Sequence, residues 1–140
     1  MQRIDYDEFG FFHENAAEFG LPYEGPPTVR RAEVEVDGGR RLSALVWGDG
    51  DPELVFLHGG AQNAHTWDTV AMALDRPLVA IDLPGHGHSD APAGDGPYLD
   101  ANARDIATVI EVLAPDARAV IGMSLGGMTT MALADRRPDL

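Results

Sequence analysis

Three short segments carry residue types that could do chemistry together: His58-Gly59-Gly60-Ala61, the run from Asp82 to Asp90, and Gly122-Met123-Ser124-Leu125-Gly126-Gly127. The third is the sharpest. Gly122-x-Ser124-x-Gly126 lies between an apolar run, Ala119-Val120-Ile121, and a stretch of helical character, the strand–turn–helix setting that a nucleophile elbow requires. A strand that turns abruptly into a helix forces the middle residue into a strained conformation. The residues two before and two after must then be small to avoid clashes. The Ser124 hydroxyl would stand clear of the sheet at a helix N-terminus, whose free N–H groups favour developing negative charge.

The elements that must position these segments follow from the pattern of apolar residues. Arg31 to Val36 alternates polar and apolar, Asp37-Gly38-Gly39 is a hairpin turn signal, and Leu42 to Trp47 returns as the partner strand. Leu54-Val55-Phe56-Leu57, Leu78-Val79-Ala80-Ile81 and Ala119-Val120-Ile121 are short apolar runs, as expected for strands buried on both faces. Between them Thr66–Leu74, the stripe Leu99, Ala103, Ile106, Val109, Ile110 and Leu113, and Leu125–Asp135 read as helices. The expectation is an α/β domain over residues 29–140, with an N-terminal β-hairpin leading into a mostly parallel sheet with flanking helices. Residues 1–28 form an acidic leader with six acids against Arg3. Phe9, Phe12, Ala16 and Phe19 suggest a short helix there, and Gly20 to Pro27 suggests a linker. In open α/β sheets ligands collect beyond the carboxyl ends of the strands, so the three segments should converge on one edge.

Charge and composition narrow the chemistry. The chain has 140 residues, about one domain, with 23 acids against 10 bases, all Arg, and a net charge of -13. Nucleic-acid backbones and anionic lipid surfaces need a basic footprint that is missing here, so neither is an expected partner. No Lys means no Schiff-base chemistry, and no Cys means no disulfide, thiolate or Cys-ligated metal. No run reaches the ~18 apolar residues of a membrane helix, and the N-terminus lacks the form of a signal peptide, so a cytoplasmic location is expected. Gly122-x-x-x-x-Gly127-Met128-Thr129 nearly matches a phosphate-binding loop, but Met128 stands where a Lys would reach the phosphates.

Taken together, His58-Gly59-Gly60, the segment Asp82-Leu83-Pro84-Gly85-His86-Gly87-His88-Ser89-Asp90 and the elbow at Gly122 to Gly127 resemble the α/β-hydrolase superfamily, over about Arg31 to Leu140. The first is similar to that family's oxyanion loop and the second to its D-x-P-G-x-G-x-S segment. The resemblance implies that Ser124 is the nucleophile, that the backbone N–H groups of Gly60 and Leu125 form the oxyanion hole, and that Gly122 and Gly126 are the elbow glycines. It implies hydrolysis of a small carboxylic ester or related acyl compound by acyl transfer through Ser124, with no cofactor and no metal. Serine at the elbow points away from the branches of the family that carry Asp there.

The chain departs from the resemblance after the nucleophile. The family's triad runs Ser, then Asp or Glu, then His. The sixteen residues after Ser124 contain Asp135 and Asp139 but no His. Asp135 would lie about 16 Å along the next helix, too far to be the triad acid. Of the five histidines, His13 reads as a solvated leader residue and His58 as a structural residue bonded to its loop. His65 reads as a loop or helix-start residue facing water. His86 and His88 flank Gly87 and could approach the site, but that loop serves shape in the family. As a metal site His86-x-His88 lacks a third ligand. The expectation is therefore the N-terminal part of an incomplete α/β-hydrolase fold, truncated before the acid and His. The apolar sheet edge left exposed would be open to self-association or to the missing C-terminal half. The competing expectation is a catalytically inactive fragment or interaction module that keeps the first half of the fold.

Overall fold

A computed structural model describes residues 5–94 and 98–140. The first four residues of the leader, on which part of the N-terminal reading rests, lie outside the described residues. Among the described residues there are five strands: β1 (Val29–Val36), β2 (Arg40–Trp47), β3 (Leu54–Leu57), β4 (Leu78–Ile81) and β5 (Ala119–Gly122). They form one sheet in the order β1-β2-β4-β3-β5. β1 and β2 are the antiparallel hairpin, β2 runs antiparallel to β4, and β3 pairs parallel with both β4 and β5. Four of the five strands thus share a direction. The hairpin turns through a 3-10 segment, Asp37–Gly39, in which Gly38 and Gly39 take φ of 78° and 71°, the left-handed region open to glycine.

Helices cover both faces. On one side lie α1 (Phe12–Glu18) and α2 (Asp68–Leu74), the latter preceded by a 3-10 turn at Ala64–Trp67. On the other lie α3 (Tyr98–Leu113) and α4 (Leu125–Arg136). Strand alternation divides the apolar residues accordingly. Val55, Leu57, Val79 and Ile81 pack with Ile106, Ile110 and Leu133, while Phe56, Leu78, Ala80, Leu45 and Trp47 pack with Phe12 and Ala71. A run that looks uniformly apolar in sequence is therefore two half-sets facing two cores.

The leader is shorter in helix than its phenylalanine spacing suggests. Phe12 and Ala16 are buried, Phe9 lies in a turn before α1, and Phe19 at its end is 60% exposed. Phe12 meets Trp47 edge-on at 5.2 Å between ring centroids, so the leader covers the sheet rather than trailing from it. At the opposite end of the strand order β5 has β3 alone as neighbour among the described residues, and Met128 and Met131 on α4 stand 44% and 67% exposed.

Candidate active site

The parallel register sets Leu57 level with Ile81 on one side and Gly122 on the other. The loops that begin at His58, Asp82 and Met123 therefore leave the same edge of the sheet, as the sequence pattern requires. Ser124 occupies the junction of β5 and α4 with φ 51° and ψ -113°, a conformation that L-residues avoid, and its side chain is exposed. Ala61, in the loop after β3, has φ 59°. Two of the three described non-glycine residues with positive φ thus sit on this one edge, where strain commonly accompanies function.

Gly122 and Gly126 are required by the turn itself. A Cβ on Gly122 would run into the backbone of Gly126 and the Thr130 hydroxyl, and one on Gly126 would run into the carbonyls of Leu57 and His58. With both side chains absent, α4 starts hard against the end of β3. The Met123 N–H donates to Leu57 O at 3.1 Å, and the Gly126 N–H to Met123 O at 2.9 Å. Leu125 is the first residue of α4, a position whose N–H has no partner within the helix.

The His58 loop lies directly beside the serine. A Cβ built on Gly59 would be 3.5 Å from Ser124 Cβ and 2.9 Å from Gln62 Oε1. The Gly59 N–H donates to that Gln62 oxygen at 2.9 Å, which leaves Gly60, exposed and next in the chain, as the loop's outward glycine. His58 is fully buried and structural. Its Nε2 accepts from the Leu83 N–H at 2.9 Å and its Nδ1 donates to Gly59 O at 2.7 Å, which fixes the neutral tautomer. Burial pushes its pKa down, in agreement. Both ring nitrogens are committed, so His58 has no lone pair to offer Ser124.

The Asp82–Asp90 loop is held from within. Buried Asp82 accepts from the N–H groups of Ala64 at 2.7 Å and His88 at 3.0 Å and from Arg31 at 2.9 Å. Gly87, at φ 52°, passes so close that a Cβ would fall on the Asp82 carboxylate. Ser89 Oγ donates to Asp82 O at 2.6 Å and accepts from Ser43 N–H at 2.8 Å. Asp90 accepts from the Arg41 N–H at 2.8 Å. The spacing Asp-x-Pro-Gly-x-Gly-x-Ser is thus a recipe for folding the loop around one carboxylate. His86 turns its Nδ1 to Pro84 O at 3.0 Å and sets its ring 5.1 Å from that of His58.

His65 departs from its expected place in water. It lies between Asp68, at 2.7 Å from Nδ1, and Glu8 of the leader, at 3.2 Å from Nε2. Glu8 in turn receives a two-pronged contact from Arg31, Nε to Oε1 at 2.9 Å and Nη2 to Oε2 at 2.7 Å. Arg31 also donates to Ser43 and Asp82. No local pattern in the sequence marks this cluster, because its members are scattered over 75 positions. A lone Arg on an alternating strand carries no local sign of its partners. His13 is solvent-facing beside Glu14, at 3.8 Å. Among the described residues no group of His, Asp or Glu is arranged to hold a metal ion, and no helix is long and apolar enough to cross a membrane.

Comparison with known proteins points the same way. A family model described as the alpha/beta hydrolase fold matches residues 52–140. The esterase Rv0045c of Mycobacterium tuberculosis is 49% identical over 136 residues, covering 96% of this chain and 43% of that protein. Its solved structure superposes with a TM-score of 0.85 at 47% identity, covering 98% of this chain and 45% of the other. A 2-hydroxy-6-oxononadienedioate/2-hydroxy-6-oxononatrienedioate hydrolase of Klebsiella pneumoniae is 33% identical over 127 residues, covering 84% of this chain and 43% of that protein. The chain spans less than half the length of these relatives.

Proposed function

The chain belongs to the α/β-hydrolase family, and from that premise we propose that it carries the nucleophile and oxyanion half of a serine hydrolase acting on small carboxylic esters or related acyl compounds. The observation that carries this reading is the backbone of Ser124: a strained, exposed serine between two glycines whose missing side chains let helix meet strand. Strain of this kind costs about 1–3 kcal/mol and persists where the surroundings impose it. Here it lifts the hydroxyl off the sheet and leaves the first N–H of α4 beside it.

In the proposed reaction Ser124 Oγ attacks the ester carbonyl and its proton passes to a base. The Leu125 and Gly60 N–H groups hold the oxyanion, the alcohol leaves, and water then releases the acid from the acyl-serine. No imidazole hydrogen-bonds to Ser124 among the described residues: His58 is committed on both nitrogens, His65 lies between two carboxylates, His86 turns its Nδ1 to its own loop, His88 faces Glu8, and His13 faces solvent beside Glu14. We assign the base, with the triad acid, to the part of the longer relatives that this chain does not span. The second reading, an inactive module, is favoured by that same lack of an imidazole bonded to Ser124.

A fluorophosphonate probe separates the two. Labelling is expected in a chain extended to the relatives' full length, lost in its Ser124→Ala form, and weak or absent in the 140-residue chain. Labelling of the extended chain that survives Ser124→Ala overturns the assignment of the nucleophile. An extended chain that never labels supports the inactive module.

A further inference from the structure

The leader is fastened by charge as well as by apolar packing, and a histidine stands at the centre of the fastening. His65 presents Nδ1 to Asp68 Oδ2 at 2.7 Å and Nε2 to Glu8 Oε2 at 3.2 Å. A carboxylate oxygen only accepts, so two attractive contacts require both ring nitrogens to donate, which makes the ring an imidazolium. A neutral ring can donate to one carboxylate only and turns a lone pair toward the other. The tighter contact, to Asp68 at the start of α2, is the one that survives. The contact to the leader is the one that breaks.

We propose that the leader is held across the carboxyl edge of the sheet by a proton-dependent latch, with Glu8 as the bolt and His65 as the switch. The groups around the switch are few. From the leader come Glu8 and the Phe9 ring, 6.1 Å from the imidazole. From α2 comes Asp68, whose Oδ1 is buried without a partner. From β1 comes Arg31, and from the end of β4 Asp82, which meets Glu8 only through Arg31. From the following loop comes His88, mostly exposed, with Nε2 3.8 Å from Glu8 Oε2. With His65 charged, two cations in the cluster face three carboxylates. Without it, Arg31 alone does.

The electrostatics agree with the geometry. Asp68 and then Glu8 hold the His65 imidazole above the usual histidine range, and burial pushes Asp68 up, so the pair keeps its shared proton. Arg31 holds the Glu8 carboxyl down to about 2, so Glu8 stays charged wherever His65 titrates. A histidine whose pKa is raised in the docked state contributes docking stability that is fully present below the free pKa and is lost as pH rises through the docked one. The latch therefore opens with alkali, freeing the segment that Phe9 anchors against His65 and Phe12 against Trp47.

Hydrogen exchange of the α1 amides, Phe12–Glu18, corrected for the intrinsic rate, reads the latch directly. Protection in the unmodified chain is expected to fall about tenfold between about pH 6 and about pH 9. Glu8→Gln should abolish that dependence, because a carboxamide accepts from Arg31 and donates to a neutral imidazole, whereas His88→Asn should leave it intact. Equal protection at both pH values, a wild-type profile in Glu8→Gln, or loss of the dependence in His88→Asn would each overturn the proposal. If Glu8→Gln fails to fold, the ring-proton titration of His65 in the unmodified chain decides. A midpoint that coincides with the pH at which α1 protection falls supports the latch, and one that lies away from that pH, or at or below the ordinary value of about 6.5, refutes it.

Discussion

The elbow at Ser124 and the clamp at Arg31 are both places where the chain is forced into close contact, and they are built from opposite materials. At the elbow the contact is made by leaving atoms out: Gly122 and Gly126 let two backbones meet where any side chain would collide. At the clamp it is made by adding charge, with Arg31 reaching Glu8, Ser43 and Asp82 from a strand that is otherwise an ordinary half-covered ribbon. The elbow has almost no tolerance for substitution, since its constraint is backbone on backbone. The clamp has several partners per group and should fail by degrees.

Gly126→Ala sharpens that contrast most. The added methyl meets the carbonyls of Leu57 and His58, which end a central strand and have nowhere to go. A loss of about 4 kcal/mol, or no cooperative folding at all, is expected in urea denaturation. A loss below about 1 kcal/mol would mean that the elbow yields more than the described backbone allows.

Arg31→Met should cost less but still substantially, about 2–3 kcal/mol in the same measurement. Arg31 keeps 15% of its side chain in solvent, and Asp82 at 1% retains two backbone N–H donors after the Arg is gone. The buried carboxylate is thus weakened in its support rather than stranded. Glu8→Gln removes charge at the more accessible end of the clamp and should cost under about 1 kcal/mol. If the two variants cost the same, Arg31 acts through the leader alone and the contact with Asp82 contributes little.

The same contrast explains what the sequence disclosed. The ends of β3 and β4 are legible because a four-residue apolar run flanked by turn residues has few other uses, and the elbow because glycines two before and two after a serine record a backbone necessity. The loop from Asp82 to Asp90 was legible as a shape, and Gly87 against Asp82 supplies the reason. His65 was misplaced into water because its neighbour Asp68 is local but Glu8 is 57 positions away and sits in a leader that looked detachable. Glu8 resembles any of the leader's other acids until the fold brings Arg31 to it. Backbone constraints leave a mark within a few residues, whereas long-range ion pairs leave none.

A small gain, where the other variants lose, is the effect that speaks most directly to function. Ser124 is held at φ 51° and ψ -113° by its surroundings, and a glycine there would meet the same surroundings without the strain. Ser124→Gly should therefore stabilise the folded chain by about 1 kcal/mol, the strain relieved being partly offset by the greater freedom glycine gives the unfolded chain. Ser124→Ala keeps the Cβ and so keeps the strain, and its stability should stay within about 0.5 kcal/mol of the parent. The pair isolates the backbone from the hydroxyl. A gain in glycine but not in alanine means that this position holds an unfavourable conformation for the sake of what its side chain does, the trade of stability against activity expected of a nucleophile. Equal stability in all three forms would mean that the bend is at rest, and the structural argument for a poised hydroxyl would lose its footing.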